Sequence, residues 1–270
     1  MTGYQDRVLG VLATVFLLGT LSSCSRPAPV QTESAASYWS DAKERYVAGD
    51  YLKAIGNLDH LLDNSEYNSR ALPFSLVLTS GVASGYMELA DYYAAGAKAN
   101  KGKTLVFQRK ASDYRALANH MVLHFAENTK KLNQVDGDSM QLAFGPPKGN
   151  ATEPKLLTQI SHGIELSKED EESALELAVD RGVLMAVCDT VGAPNNLAKA
   201  SEILQRGEFL VRRAKYTKAV AEQLEQAAQL YSRSKLDDTA KLALLKQMAQ
   251  DAIKDAEGPH TAMVMQVAGR

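Results

Sequence analysis

Apolar residues in this chain recur at helical spacing and almost never alternate, and this restricts what it can fold into. Tyr38, Ala42 and Tyr46 fall every four residues. Tyr114, Leu117, Ala118, Met121, Val122 and Phe125 keep to one helical stripe. Outside the leader no run of alternating β-branched residues occurs, and no Asn-Gly hairpin signal is present. Alanine, leucine, lysine, glutamate and glutamine fill most periodic segments. The pattern predicts an all-α protein. The formal net charge of −2 supplies no electrostatic reason to bind nucleic acid or an anionic membrane surface.

Val8 to Leu21 form an uncharged apolar run of 14 residues. That is short of the roughly 20 residues a bilayer span requires, and it suits the core of a secretory signal. The n-region carries Asp6 beside Arg7, so it is less positive than such regions usually are. Leu21-Ser22-Ser23-Cys24 at its end resembles the lipobox of bacterial lipoproteins. The resemblance implies cleavage before Cys24, a diacylglycerol on its thiol and an acyl chain on its new amino group. Three chains, at about 0.8 kcal/mol per buried methylene, would anchor far more firmly than one. An ordinary signal peptide and a short membrane anchor are the alternatives. With Cys24 lipidated, Cys188 has no partner, because these are the only two cysteines.

These features divide the chain into a signal peptide (1–23), the lipidated cysteine with a flexible tether (24–36), and an N-terminal helical lobe (37–133). An irregular loop (134–152), a C-terminal helical lobe (153–258) and a frayed tail (259–270) follow. The tether, with two prolines and little to bury, would let the domain stand off the membrane.

The first folded unit, Tyr38 to Asp63, reads as two helices broken at Gly49-Asp50, with Ile55, Leu58, Leu61 and Leu62 striping the second. Gly49-Asp50-Tyr51-Leu52-Lys53-Ala54-Ile55 resembles the middle of a tetratricopeptide (TPR) repeat, where such a turn joins helix A to helix B and a small residue lets them approach. Asp41 departs from the leucine usual there, and no equally good copy recurs at 34-residue spacing. The resemblance implies antiparallel hairpins stacked as a solenoid or a two-lobed array. Long helices follow at about 73–100 and 104–132. Gly81, Gly85 and Gly96 in the first leave room for a neighbouring helix or a ligand. The 133–152 stretch, with three glycines and two prolines, reads as a boundary, with Met140, Leu142 and Phe144 tucked onto a helix. Ser167 suits an N-cap followed by acidic residues. Further helices are expected around 153–162, 175–186, 195–205, 220–231 and 245–252.

Chemistry-bearing patterns are few. His120 and His124 stand one turn apart, as in His-Glu-x-x-His zinc enzymes, but Met121 replaces the glutamate, so no metal is expected. Gly96 to Thr104 has five residues between its glycines where a phosphate loop needs four, and a helix leads into it, so it reads as a solvated turn. Glu169 to Glu172 point around a helix rather than converging. Cys188 reads as a small core residue. Trp39, Tyr46, Tyr92 and Tyr93 are the aromatic candidates for a partner surface.

No cofactor is called for, and no catalytic constellation appears. The leading reading is a lipid-anchored scaffold or adaptor of the bacterial cell envelope, binding other envelope proteins. Ser25, where aspartate would retain an enteric lipoprotein in the inner membrane, points to the outer membrane facing the periplasm. Residues 24–63 resemble the TPR lipoproteins of the outer-membrane β-barrel assembly machine. Residues 70–126, with Leu72-Pro73 opening a long apolar helix, are similar to the T-components of TRAP transporters, which implies binding of a small ligand or a solute-binding protein. An envelope enzyme is the remaining alternative.

Overall fold

A computed structural model describes residues 34–135, 137–147, 154–205, 209–233 and 239–257. The leader, Cys24, the tether up to residue 33 and the 259–270 tail lie outside the described residues. Those described are mostly helical, and residues 34–270 form one compact unit.

α1 (Ala35–Ala48) starts at Ser34, whose side chain accepts from the Ser37 amide, and stops at Gly49 with φ of 83°. There the Gly49 and Asp50 amides donate to Tyr46 and Arg45 carbonyls at 3.0 and 2.8 Å. This left-handed closure, open to glycine at no steric cost, turns the chain into α2 (Tyr51–Asp59). Ala42 and Tyr46 of α1 meet Ala54, Ile55 and Leu58 of α2 in the core, so the expected first hairpin forms. Leu61 and Leu62 are buried as well, in the turn after α2.

α3 (Asn68–Ala99) is the centre of the molecule: 20 of its 32 residues are buried. A helix apolar on all sides must be surrounded. α2, α4 (Thr104–Thr129), α5 (Lys155–Ser161), α6 (Lys168–Thr190) and α8 (Arg213–Arg233) all pack on it. α3 begins five residues before the expected Pro73, because helical bonds already run from Asn68 and Ala71 to Asn64 and Tyr67. Pro73 sits in the second turn, where its missing amide forfeits one bond near the helix start. α7 (Leu197–Gln205) and α9 (Thr239–Glu257) complete the helices, α9 lying along α8.

The irregular segment differs from expectation. It contains β1 (Ser139–Leu142), which pairs antiparallel with β2 (Phe209–Arg212), Met140 opposite Val211. So two short strands join an otherwise helical fold. Nor does 134–152 divide the main core, since one apolar cluster runs from Ala42 to Ala249 and includes Met140, Leu142 and Phe144. Phe144 stacks on Phe74 with ring centroids 4.9 Å apart, and the Tyr46 hydroxyl donates to the Gly145 carbonyl at 2.8 Å. Arg213 fastens the same region from α8, its amide donating to the Asp138 carbonyl and its guanidinium to the Leu132 and Val135 carbonyls.

Candidate functional site

The α3–α6 crossing is built from glycine. A Cβ on Gly81 would lie 2.5 Å from the Val183 Cα, and one on Gly85 2.6 Å from the Ala178 carbonyl oxygen. One on Gly182 would collide with the Gly81 carbonyl oxygen. Here the room left by glycine goes to backbone contact between two helices. Gly96 admits α5 in the same way, its added Cβ colliding with the Ile160 carbonyl oxygen. Arg181 and Glu88 pair at 3.2 Å along the α3–α6 crossing.

Drawing α6 onto α3 while α4 packs elsewhere on it leaves a groove that α8 partly covers. The result is a cavity of about 270 Å³, partly open to solvent. Val122 and Phe125 of α4, Met185 and Ala186 of α6, and Ala227 and Leu230 of α8 supply its apolar wall. Ser80 and Ser84 of α3, Asp189 of α6, and Gln223 and Gln226 of α8 supply polar groups.

The polar groups near the end of α6 are constrained in what they can offer. The Thr190 hydroxyl spends its one proton on the Ala186 carbonyl at 2.8 Å, so toward Gln223 it can only accept. Gln223 Nε2 donates to it at 3.2 Å, which leaves the Gln223 carbonyl oxygen without a partner among the described residues. Ser80 donates to the Val77 carbonyl at 3.2 Å. Asp189 is half-buried; its backbone carbonyl accepts from the Gly192 amide at 3.0 Å, but its carboxylate has no hydrogen-bond or ion-pair partner among the described residues. Burial, and then the Glu222 charge, push its carboxyl above the ordinary aspartate value. One turn before Val122 on α4, Asn119 is 3% exposed, and neither its amide nitrogen nor its oxygen finds a partner.

The four aromatic candidates do not converge. Tyr46 is 1% exposed and Tyr93 4%, so both are core residues and present no surface to a partner. Tyr46 packs in a cluster with Tyr51, Phe74 and Phe144. Tyr93 belongs to a second cluster, stacked on Tyr114 at 5.6 Å, with the Lys110 ammonium 5.5 Å from its ring centroid. Burial is the main cause raising the Tyr93 hydroxyl pKa, and the Glu171 and Tyr114 charges add to it. Trp39 is half-buried between Tyr67 and Phe74, with the Arg70 guanidinium 5.5 Å from its ring centroid, and Tyr92 is half-buried at the edge of the second cluster.

The remaining patterns find ordinary roles. His124 bonds Asp59 at 3.1 Å while His120 is exposed, and no group able to hold a metal occurs among the described residues. The lysine-rich turn is closed by Asn100, whose side chain accepts from the Lys103 amide at 3.1 Å and donates to the Gly163 carbonyl at 2.8 Å. The Ser167 hydroxyl accepts from the Asp170 amide at 3.1 Å and caps α6, and Glu171 pairs with Lys110 of α4. Cys188 is buried in the core, its thiol pushed up mainly by burial. Sequence reasoning missed Asp189 and Gln223. They lie 34 residues apart on two helices, and only the packing of α8 over α6 brings them to one cavity. Nothing in either local pattern marks them. The chain matches no family model, no curated protein and no solved structure.

Proposed function

We propose that this chain is a lipid-anchored adaptor of the bacterial cell envelope, held at the outer membrane through Cys24, facing the periplasm and binding other envelope proteins without catalysis. One observation carries the reading: a lipobox-terminated leader, a proline-bearing spacer and a compact helical unit follow one another in that order. α1 begins at Ala35, so ten residues separate it from Cys24. Extended, they reach roughly 33 Å, enough to let the helical unit meet partners off the membrane. The α1–α2 hairpin is the TPR-like element of the adaptor. Val47 and Leu52, 69% and 51% exposed, flank its turn and offer apolar surface to a partner. Among the described residues no helix is long and apolar enough to cross a membrane.

A second reading, a ligand- or partner-binding lipoprotein of a TRAP-type transporter, is favoured by the cavity between α3, α4, α6 and α8. Cross-linking the protein in intact cells, followed by mass spectrometry, tests both. Recovery of barrel-assembly or other envelope proteins is the adaptor result. Recovery of a solute-binding protein or transporter subunit moves the assignment to transport. Recovery of the protein alone contradicts the adaptor.

A further inference from the structure

We propose that the cavity between α3, α4, α6 and α8 binds a small organic cation: a primary ammonium on a short apolar body, with the ammonium at Asp189 and Gln223 and the body along Val122, Phe125 and Leu230. This goes beyond the adaptor reading and does not rest on it.

The one charged residue on the cavity lining, Asp189 at the last turn of α6, sets the sign of the ligand. Thr190 gives its proton to Ala186, Gln223 turns its amide nitrogen to Thr190, and Ser80 gives its proton to Val77. Donors do remain on the lining, at Ser84, Gln226 and the second N–H of Gln223. The Asp189 carboxylate, however, is acceptor-only and is the one charged group among the lining residues, with the carbonyl of Gln223 and the lone pairs of Ser80 as further acceptors. A ligand group that completes the Asp189 carboxylate must be a donor. A donor facing an unpaired, half-buried carboxylate is best positively charged, because charge-assisted hydrogen bonds are the strong ones. Glu222, whose charge Asp189 senses, reinforces the same sign. No cation of the protein fills the role among the described residues. Lys215 of α8 carries its ammonium over Gly192, beyond the end of α6, where a Cβ on that glycine would lie 2.5 Å from it, and makes no ion pair with Asp189.

The rest of the lining limits the ligand's other end. Val122, Phe125, Met185, Ala227 and Leu230 bring no hydrogen-bonding side chain, so the body they enclose is apolar. About 270 Å³ is near the lower end of small-molecule pockets, roughly 300 Å³. A short alkyl or a single ring fits this class better than a lipid chain.

The test is calorimetric titration of the full chain, in non-ionic micelles, with n-butylammonium and with 1-butanol as its neutral counterpart. n-Butylammonium is expected to bind about tenfold or more tightly than 1-butanol. The preference is expected to collapse in Asp189→Asn, with unchanged far-ultraviolet circular dichroism showing that the variant folds. In Ala227→Leu, which fills the apolar part while sparing Asp189, binding is expected to weaken about tenfold. Equal binding of the two probes to the wild-type chain, or no saturable binding of n-butylammonium, overturns the proposal without needing any variant. A preference that survives Asp189→Asn also overturns it, since the cation would then sit elsewhere. None of these outcomes bears on what cross-linking recovers, so the adaptor reading stands or falls separately.

Discussion

Single side chains in this molecule hold distant segments together, and Tyr46 shows how. Its ring is core, and its hydroxyl reaches across 99 residues of sequence to the Gly145 carbonyl. Tyr46→Phe keeps the packing and removes the bond, so it should cost about 1–2 kcal/mol in a denaturant melt. Asn119 is the opposite case, a buried amide with both ends unpaired. Asn119→Leu, close in shape and with nothing to satisfy, should raise stability by about 1–3 kcal/mol. A fall would mean that water or a ligand normally completes the amide. Gly182→Ala would press its Cβ into the Gly81 carbonyl. Neither helix can yield without separating, so a loss of about 3 kcal/mol or more is expected, read as a lower thermal midpoint. His124 carries a pH signature. Its hydrogen bond to Asp59 is the main cause raising its pKa above the ordinary histidine value, against some desolvation and helped by the Asp59 and Glu127 charges. A raised folded-state pKa means that the contribution is complete below the unfolded value and is lost as pH rises through the folded one. The stability difference between wild type and Asp59→Asn should therefore be largest near about pH 5.5 and shrink toward about pH 9, by about 0.5–1 kcal/mol for a partly solvated pair.

Among the secondary-structure elements, legibility follows sequence distance. The helices are readable because amphipathic periodicity and end signals are local. Gly49 closes α1 with a positive φ, and Ser167 caps α6, as their residue types imply. The β1–β2 ladder is not readable. Each strand has four residues, Ser-Met-Gln-Leu is weak in β-branched character, and its partner lies some 70 positions later. Such a pair is held by the surrounding core, with Met140, Leu142 and Val211 buried, more than by its own propensity. The glycines of α3 are legible as gaps, but whether a helix or a ligand fills them depends on α6, about 100 residues away, for Gly81 and Gly85, and on α5 for Gly96. Two of the four aromatic candidates fail for a similar reason. Tyr46 and Tyr93 obey helical spacing, which marks a face without saying what covers that face. Asp189 and Gln223 carry no signal at all, since each is an ordinary polar residue until α8 crosses α6.

In the molecule as a whole, α3 does the organising. Helices from both halves of the sequence pack on it, so among the described residues one main core runs from Ala42 to Ala249 where the sequence pattern predicts two lobes. The cavity follows from that arrangement, because α4, α6 and α8 cannot all close on one central helix along its whole length. In the adaptor reading this compact unit hangs by a short spacer from a lipid-modified cysteine, and everything else proposed of its place in the cell depends on that anchor. Intact-mass spectrometry of the chain extracted from membranes examines the anchor itself. The expected chain begins at Cys24 and is heavier than residues 24–270 by a diacylglyceryl group and an amide-linked acyl chain, and Cys24→Ser is expected without them. A chain that begins at Met1, or one cut elsewhere and free of lipid, would contradict it.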